Sequence, residues 1–442
     1  MSVFQIQASG FTTLDLNDGV AWFQDYVPTQ PGQDENGDFL VESIFKITTS
    51  GTATTVKAKI EDFNRYALLA RERVKRKAGA RVYAHFRPNG YATTYRAEIL
   101  NAWIEYAEGV TFNNLNRGNV TLTLHIWTRE WESTTETEIK LSNGNGTQVT
   151  GGLGIINHDD STTGHDNWVK VLGSDVDEGD LPSPIRLTFL NTYNSSLRYA
   201  NVFVGHNWRS AGQSAYVLEG ENANSVTPVA DANSSNGYYV VTPTINTSET
   251  NLLTWTLSTA MLNNMANNYF RVFAHIYGGV STTKYRLKVL SAITVLYAGA
   301  WATGTSTYVP IDVIKLSPWV VDGGDYYPLE FGLYAKHATG GFTASVDYLT
   351  LIAMDGWRQY TQLGYGIGYG VTLTDDNPTK QIYTSGWTPS GNFTNFVASG
   401  PPLTVMPGVD QYYNFSIQGN TSTYNYLTGT VRMYYRPRRS GL

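Results

Sequence analysis

Only one stretch of this chain repeats its apolar residues at the period of a helix face. From about Thr54 to Lys77, Ile60, Phe63, Ala67, Ala70 and Val74 recur at the i, i+3, i+4, i+7 spacing, and Gly79 follows as a stop. The last turns hold Arg71, Arg73, Lys75, Arg76 and Lys77, cations that the helix macrodipole favours at that end. They read as a solvated helix end rather than a phosphate-binding patch. Elsewhere the pattern is short alternating segments divided by Gly, Asn and Ser. In Asn119 to Trp131, for example, Val120, Leu122, Leu124 and Ile126 fall on one face and Thr121, Thr123, His125 and Trp127 on the other. A chain with 30 Tyr, 11 Trp and only 15% charged residues fits that mainly β expectation.

At 442 residues the chain exceeds what one core serves, since single cores stop growing near about 250–300 residues. The expected class is mainly β and multidomain: an N-terminal α+β domain with one long helix, followed by β-sandwich or jelly-roll domains. Residues 1–133 make the α+β unit, a sheet against a single helix. Residues 134–212 make a sandwich or the first part of one. Residues 213–354, with short strands such as GYYVVTP, LLTWTL and SVDYLTLIAM, make a sandwich or jelly roll. Residues 355–442 form a closing β segment of different texture.

Several classes of function drop out. The chain has no cysteine, which removes disulfides, thiolate nucleophiles and thiolate metal sites together. A net charge of −6 gives no field that would draw the whole chain to nucleic acid or an acidic membrane. No apolar run is long enough to insert in a membrane as a helix, and the first residues lack the basic-then-apolar pattern of an export signal. The Gly364–Gly370 run, GYGIGYG, lacks the strand-then-helix setting that would make its glycines cradle a phosphate. His158, Asp159, Asp160, His165 and Asp166 gather metal-compatible side chains in one loop, but at no metalloenzyme spacing, and they read as an exposed polar loop. With 37 acids in the chain, no carboxylate pair stands out as a glycosidase's, and the chain is expected not to be an enzyme. Sequons such as Asn119, Asn145 and Asn194 arise by chance in an Asn- and Thr-rich chain. Tyr238, Tyr239, Trp255 and Tyr277 suit either a sandwich core or stacking on a sugar.

The helix rich in Arg, the hairpin VYAHFRPNG…TTYRAEIL, the strand TLTLHIWTREWE, the later DGWRQY (Asp355 to Tyr360) and the closing YYRPRR (Tyr434 to Arg439) together resemble distal-tail and baseplate proteins of long-tailed bacteriophages. The resemblance covers roughly half the chain. It implies a virion tail protein, assembled in the host cytoplasm, that forms a ring with itself and joins other tail proteins, with residues 1–133 and 355–442 as the assembling body. The segment 213–354 resembles the galactose-binding-like jelly rolls used as carbohydrate-binding modules, through LEGENA (Leu218 to Ala223), NSSNGYYV (Asn233 to Val240), NYFRVFAHIY (Asn268 to Tyr277) and VDYLTL (Val346 to Leu351). That likeness implies adhesion to a cell-surface glycan. It also implies a structural calcium ion held by Glu219, Glu221 and Asp347, a hard-oxygen set of the kind calcium prefers. Alternation would put Glu219 and Glu221 on one strand face. The family's usual Ser-Gly-Gly is replaced here by Ser235, Asn236 and Gly237. A stand-alone lectin-like protein is the main alternative, and a polysaccharide depolymerase the third.

Overall fold

The computed structural model describes residues 3–19, 21–28, 32–33, 39–77, 79–112, 115, 120–144, 147–156, 166–193, 198–208, 217–232, 234–265, 268–278, 282–304, 308–316, 328–362, 366–378, 380–385, 396–419 and 427–442. They form a mainly β, multidomain protein. Two compact units divide it: Met1–Thr137 with Glu178–Ser183 and Arg436–Leu442, and Glu138–Asp177 with Pro184–Tyr435. No helix among the described residues is long and apolar enough to cross a membrane.

In the first unit the helix Ala53–Arg76 packs on a sheet whose strand order runs Leu14–Asp15, Val3–Ala8, Val82–Arg87, Tyr95–Tyr106, Thr121–Thr128, Phe39–Thr49 and Ala21–Pro28. The Thr52 side chain caps the helix by accepting the Thr55 N–H, and Lys77 ends it in the left-handed conformation at φ 53°. Val56, Ile60, Phe63, Tyr66, Ala67 and Ala70 form the buried face. Val74, counted in that face from its spacing, is 46% exposed, because the packed stripe stops one turn earlier. The sheet contributes Phe4, Phe45 and Phe86, with Phe4 stacked on Phe45 at 4.2 Å and Phe86 edge-on to both. Arg438–Arg439 pairs as a short strand with Trp131–Ser133, and Ser440 bonds Asp180 twice at 2.7 Å, so the last residues belong to this unit.

The second unit contains two sandwiches. One stacks the sheet Thr137–Glu138, Thr428–Tyr435, Ser183–Asn191, Thr372–Asp376, Gln381–Ser385 on the sheet Trp168–Val171, Gln411–Gly419, Tyr199–Asn207, Gly356–Gln362, Phe396–Ser399. Its core includes Phe189, Tyr199, Val202, Val204, Phe415 and Ile417. The clean alternation of Ser183–Asn191, with Ile185, Leu187 and Phe189 inward, is what one buried face requires. The other sandwich pairs a sheet ordered Pro228–Ala230, Tyr238–Val241, Ser345–Ala353, Tyr269–Tyr277, Tyr308–Lys315 with one ordered Thr250–Thr256, Leu329–Lys336, Lys284–Ser291, Thr294–Ala298. Trp255, Phe270, Leu287, Phe331 and Leu349 fill it.

The sequence expectation needs correction at one boundary. Residues 355–442 do not complete the N-terminal body. Gly356–Gln362 hydrogen-bonds Tyr199–Asn207 with His206 opposite Gly356, and Thr428–Tyr435 lies on Ser183–Asn191, so this segment closes the sandwich begun by residues 134–212. Only Arg436–Leu442 returns to the first unit. Periodicity marks a strand but not its partner, and here the partners lie 150 or more residues apart. The second sandwich is thus an insertion between two neighbouring strands of the first.

Candidate functional site

The inserted sandwich begins with Val217–Glu219 and ends with Ser345–Ala353, and these two strands pair, Glu219 opposite Tyr348. The register of Ser345–Ala353 against Tyr269–Tyr277 slips between His275 opposite Tyr348 and Ile276 opposite Val346, which leaves Asp347 as the extra residue of a β-bulge. A bulge re-aims a side chain. Asp347, 1% exposed, accepts the Ser235 N–H at 3.0 Å on Oδ1 and 3.2 Å on Oδ2, and on Oδ2 also His275 Nδ1 at 2.9 Å and the Tyr277 hydroxyl at 3.1 Å. The His275 ring lies against Tyr348 at 5.0 Å and edge-on to Tyr277 at 4.8 Å. Burial pushes the Asp347 carboxyl up, while the hydrogen bond and charge of His275, the Ser235 N–H and Tyr277 pull it back.

Ser235 also joins the first strand to this group, donating from its hydroxyl to Glu219 Oε1 at 2.8 Å. The Glu219 carbonyl accepts the indole N–H of Trp255 at 2.7 Å. Glu221 departs from the strand expected to carry it. The strand stops at Glu219, and Glu221 lies in the tight turn Gly220–Asn222, so the two glutamates do not share a strand face. Gly220 lets that turn lie close against the last strand, since a Cβ there would come 2.6 Å from the Val346 carbonyl oxygen. Burial and the charge of Asp347 raise the Glu221 carboxyl against hydrogen bonds from its own N–H and Asn236.

The structure brings Glu219 and Asp347 together through Ser235, with Glu221 within electrostatic reach of Asp347. As hydrogen-bonded here, the three acids do not gather around one cation position. Both Asp347 oxygens already accept N–H or O–H donors, one Glu219 oxygen accepts Ser235, and no three His, Asp or Glu groups among the described residues are placed to hold a metal. The arrangement is a buried hydrogen-bond network that ties the first strand, the Ser235–Gly237 turn and the last strand of the insertion at its root. His275 and Tyr277 were missed as its members, although their i, i+2 spacing on NYFRVFAHIY puts them on one face. Of the loop His158 to Asp166, only Asp166 lies within the described residues. Trp255 is core, Tyr238 is 43% exposed, and Tyr239 and Tyr277 are half-buried.

A second titratable group sits in the first unit. His125 bonds Glu42 through Nδ1 at 3.0 Å and Glu105 through Nε2 at 2.9 Å, beneath the parallel ring of Trp103 at 4.7 Å. Burial alone would lower its pKa, but the hydrogen bonds and charges of Glu105 and Glu42 outweigh it and raise it. A folded pKa above the unfolded value of about 6.5 gives stabilisation present in full below that pH and lost as pH rises through the folded pKa. Glu105 is 65% exposed, so the effect is expected at about 0.5–1 kcal/mol. Urea melts across that window should show the loss in the wild type and a smaller slope in Glu42→Gln/Glu105→Gln; equal slopes would refute it.

No protein-family model matches the chain, and no curated protein matches it. Among solved structures it is similar to two of the phage p2 baseplate in its activated conformation, one with Sr and one with Ca. They share 11% and 12% identity, each alignment covers 77% of this chain and 99% of the other, and the TM-scores are 0.23 and 0.22. A crystal structure of the infectious bursal disease virus VP2 subviral particle follows at 8% identity, 69% and 81% coverage and a TM-score of 0.16. Likenesses of this strength establish neither fold nor function.

Proposed function

We propose that this chain is a structural component of a bacteriophage virion tail, of the distal-tail or baseplate kind, that assembles with copies of itself and with other tail proteins and holds its inserted sandwich outward to bind a cell-surface glycan. It acts by assembly and binding, without catalysis. The observation that carries this reading is the nested connectivity. The inserted sandwich leaves and re-enters its host sandwich through neighbouring strands, at His206 and Gly356, and its own first and last strands are locked by the Asp347 network. A module held at both ends keeps its orientation, and repeated in a closed assembly, weak single contacts add through multivalency.

Light scattering on the purified full chain tests it. A mass at a fixed multiple of the protomer is the expected result. A strict monomer at high concentration would remove the assembly role and favour a stand-alone lectin-like protein.

A further inference from the structure

One surface of the inserted sandwich departs from the acidic character of the chain. Strand Lys284–Ser291 turns Tyr285, Leu287 and Val289 into the core and Lys284, Arg286 and Lys288 the other way, and its neighbour Leu329–Lys336 turns Phe331, Leu333 and Ala335 inward and Glu330, Tyr334 and Lys336 outward. Their register sets Lys284 opposite Lys336 and Arg286 opposite Tyr334. Like charges directly opposite on one sheet face oppose folding, and among the described residues neither Lys284 nor Lys336 has a salt-bridge partner. Instead Lys336 and Arg286 each stand 4.4 Å from the Trp301 ring, and Lys288 stands 4.1 Å from that of Tyr334. Gly332 lets Tyr334 lie flat on the sheet, since a Cβ there would come within 2.6 Å of the Tyr334 ring.

The face already shows what it accepts. The Glu249 carboxylate takes Arg286 Nη2 at 2.5 Å and Lys288 Nζ at 2.9 Å, which seats one acid among two cations and two aromatic planes. Glu330, the other acid of the face, is engaged by Asn224 at 3.0 Å. Four cations against these two acids leave an excess of positive charge on one sheet face of a chain whose net charge is −6.

We propose that this face binds a carboxylate-bearing saccharide chain, with Lys284 and Lys336 taking the carboxylates and Trp301 and Tyr334 offering planes for the sugar rings. The proposal rests on the display role above and names what the displayed module takes. Labelled polygalacturonate and its fully methyl-esterified form are the probes, titrated against the full chain and against Lys284→Gln/Lys336→Gln, a variant that relieves the facing pair and so keeps the fold. The acid polymer is expected to bind at least about tenfold more tightly than the ester and than it binds the variant, and to weaken between about 0.05 and 0.5 M NaCl. Equal binding of both polymers, an unaffected variant, no binding at all, or binding of a polyglycerol phosphate in place of polygalacturonate would overturn it. Because the oligomer is read separately by light scattering, an assembled protein that ignores polygalacturonate would sink this proposal and leave the assembly role standing.

Discussion

Asp347→Ala is expected to destabilise the second unit by about 3 kcal/mol, because it strips the acceptor from three donors at once, two of them on buried residues. The Ser235 N–H, His275 Nδ1 and the hydroxyl of the half-buried Tyr277 all converge on this carboxylate, and the buried Ser235 and His275 have no water to turn to in its place. Urea melts of the full chain followed by tryptophan fluorescence measure it. Chelator is expected to leave the wild-type midpoint unchanged. If calcium instead raised the melting temperature and the substitution abolished that rise, the three acids would be an ion site after all, and the hydrogen-bond account would fall.

Gly205→Val should cost as much, about 3 kcal/mol, for a steric reason. Gly205 lies where the host sandwich meets the insertion: a Cβ there would lie 2.2 Å from Ile352 Cγ2 and 2.3 Å from the Ala353 carbonyl oxygen. Ile352 and Ala353 sit on a strand hydrogen-bonded to Tyr269–Tyr277, so the backbone oxygen cannot withdraw. Around this point Phe203, Phe273, Tyr308, Tyr348 and Ile352 form one apolar cluster that joins the two sandwiches. Adding Ile352→Ala to Gly205→Val should restore part of the lost stability, since it removes the side-chain clash and not the backbone one. A Gly205→Val protein that melts like the wild type would show that the junction yields.

Some of this was legible in the sequence for plain physical reasons. The helix was, because the buried Ile60, Phe63, Ala67 and Ala70 must face one sheet and their spacing records it; Val56 and Tyr66 of the same face went unmarked, and the exposed Val74 misled, being apolar without being covered. The strand Thr121–Thr128 was, through its buried Leu122, Leu124 and Ile126. Glu219 and Asp347 were picked from the sequence as ligands of one ion, and in the fold Ser235 joins them. A register slip of one residue at Asp347 aims it at His275, and alternation cannot show a bulge. The cationic face carried a readable sign, Lys284, Arg286 and Lys288 at every second position in a chain with only 15% charged residues. Its pairing with Lys336 and Trp301 required the sheet. The return of Gly356–Tyr435 to strands before the insertion was not readable at all, since nothing local names a distant partner.

The nested connectivity also fixes an order of events during synthesis. Every strand of the insertion, through Ala353, leaves the ribosome before Gly356–Gln362 is made, and its host cannot close until Thr428–Tyr435 emerges. Arg438–Arg439, which pairs with Trp131–Ser133, follows all of these. The first unit, begun earliest, is therefore finished last, after the modules within it have had their chance to close.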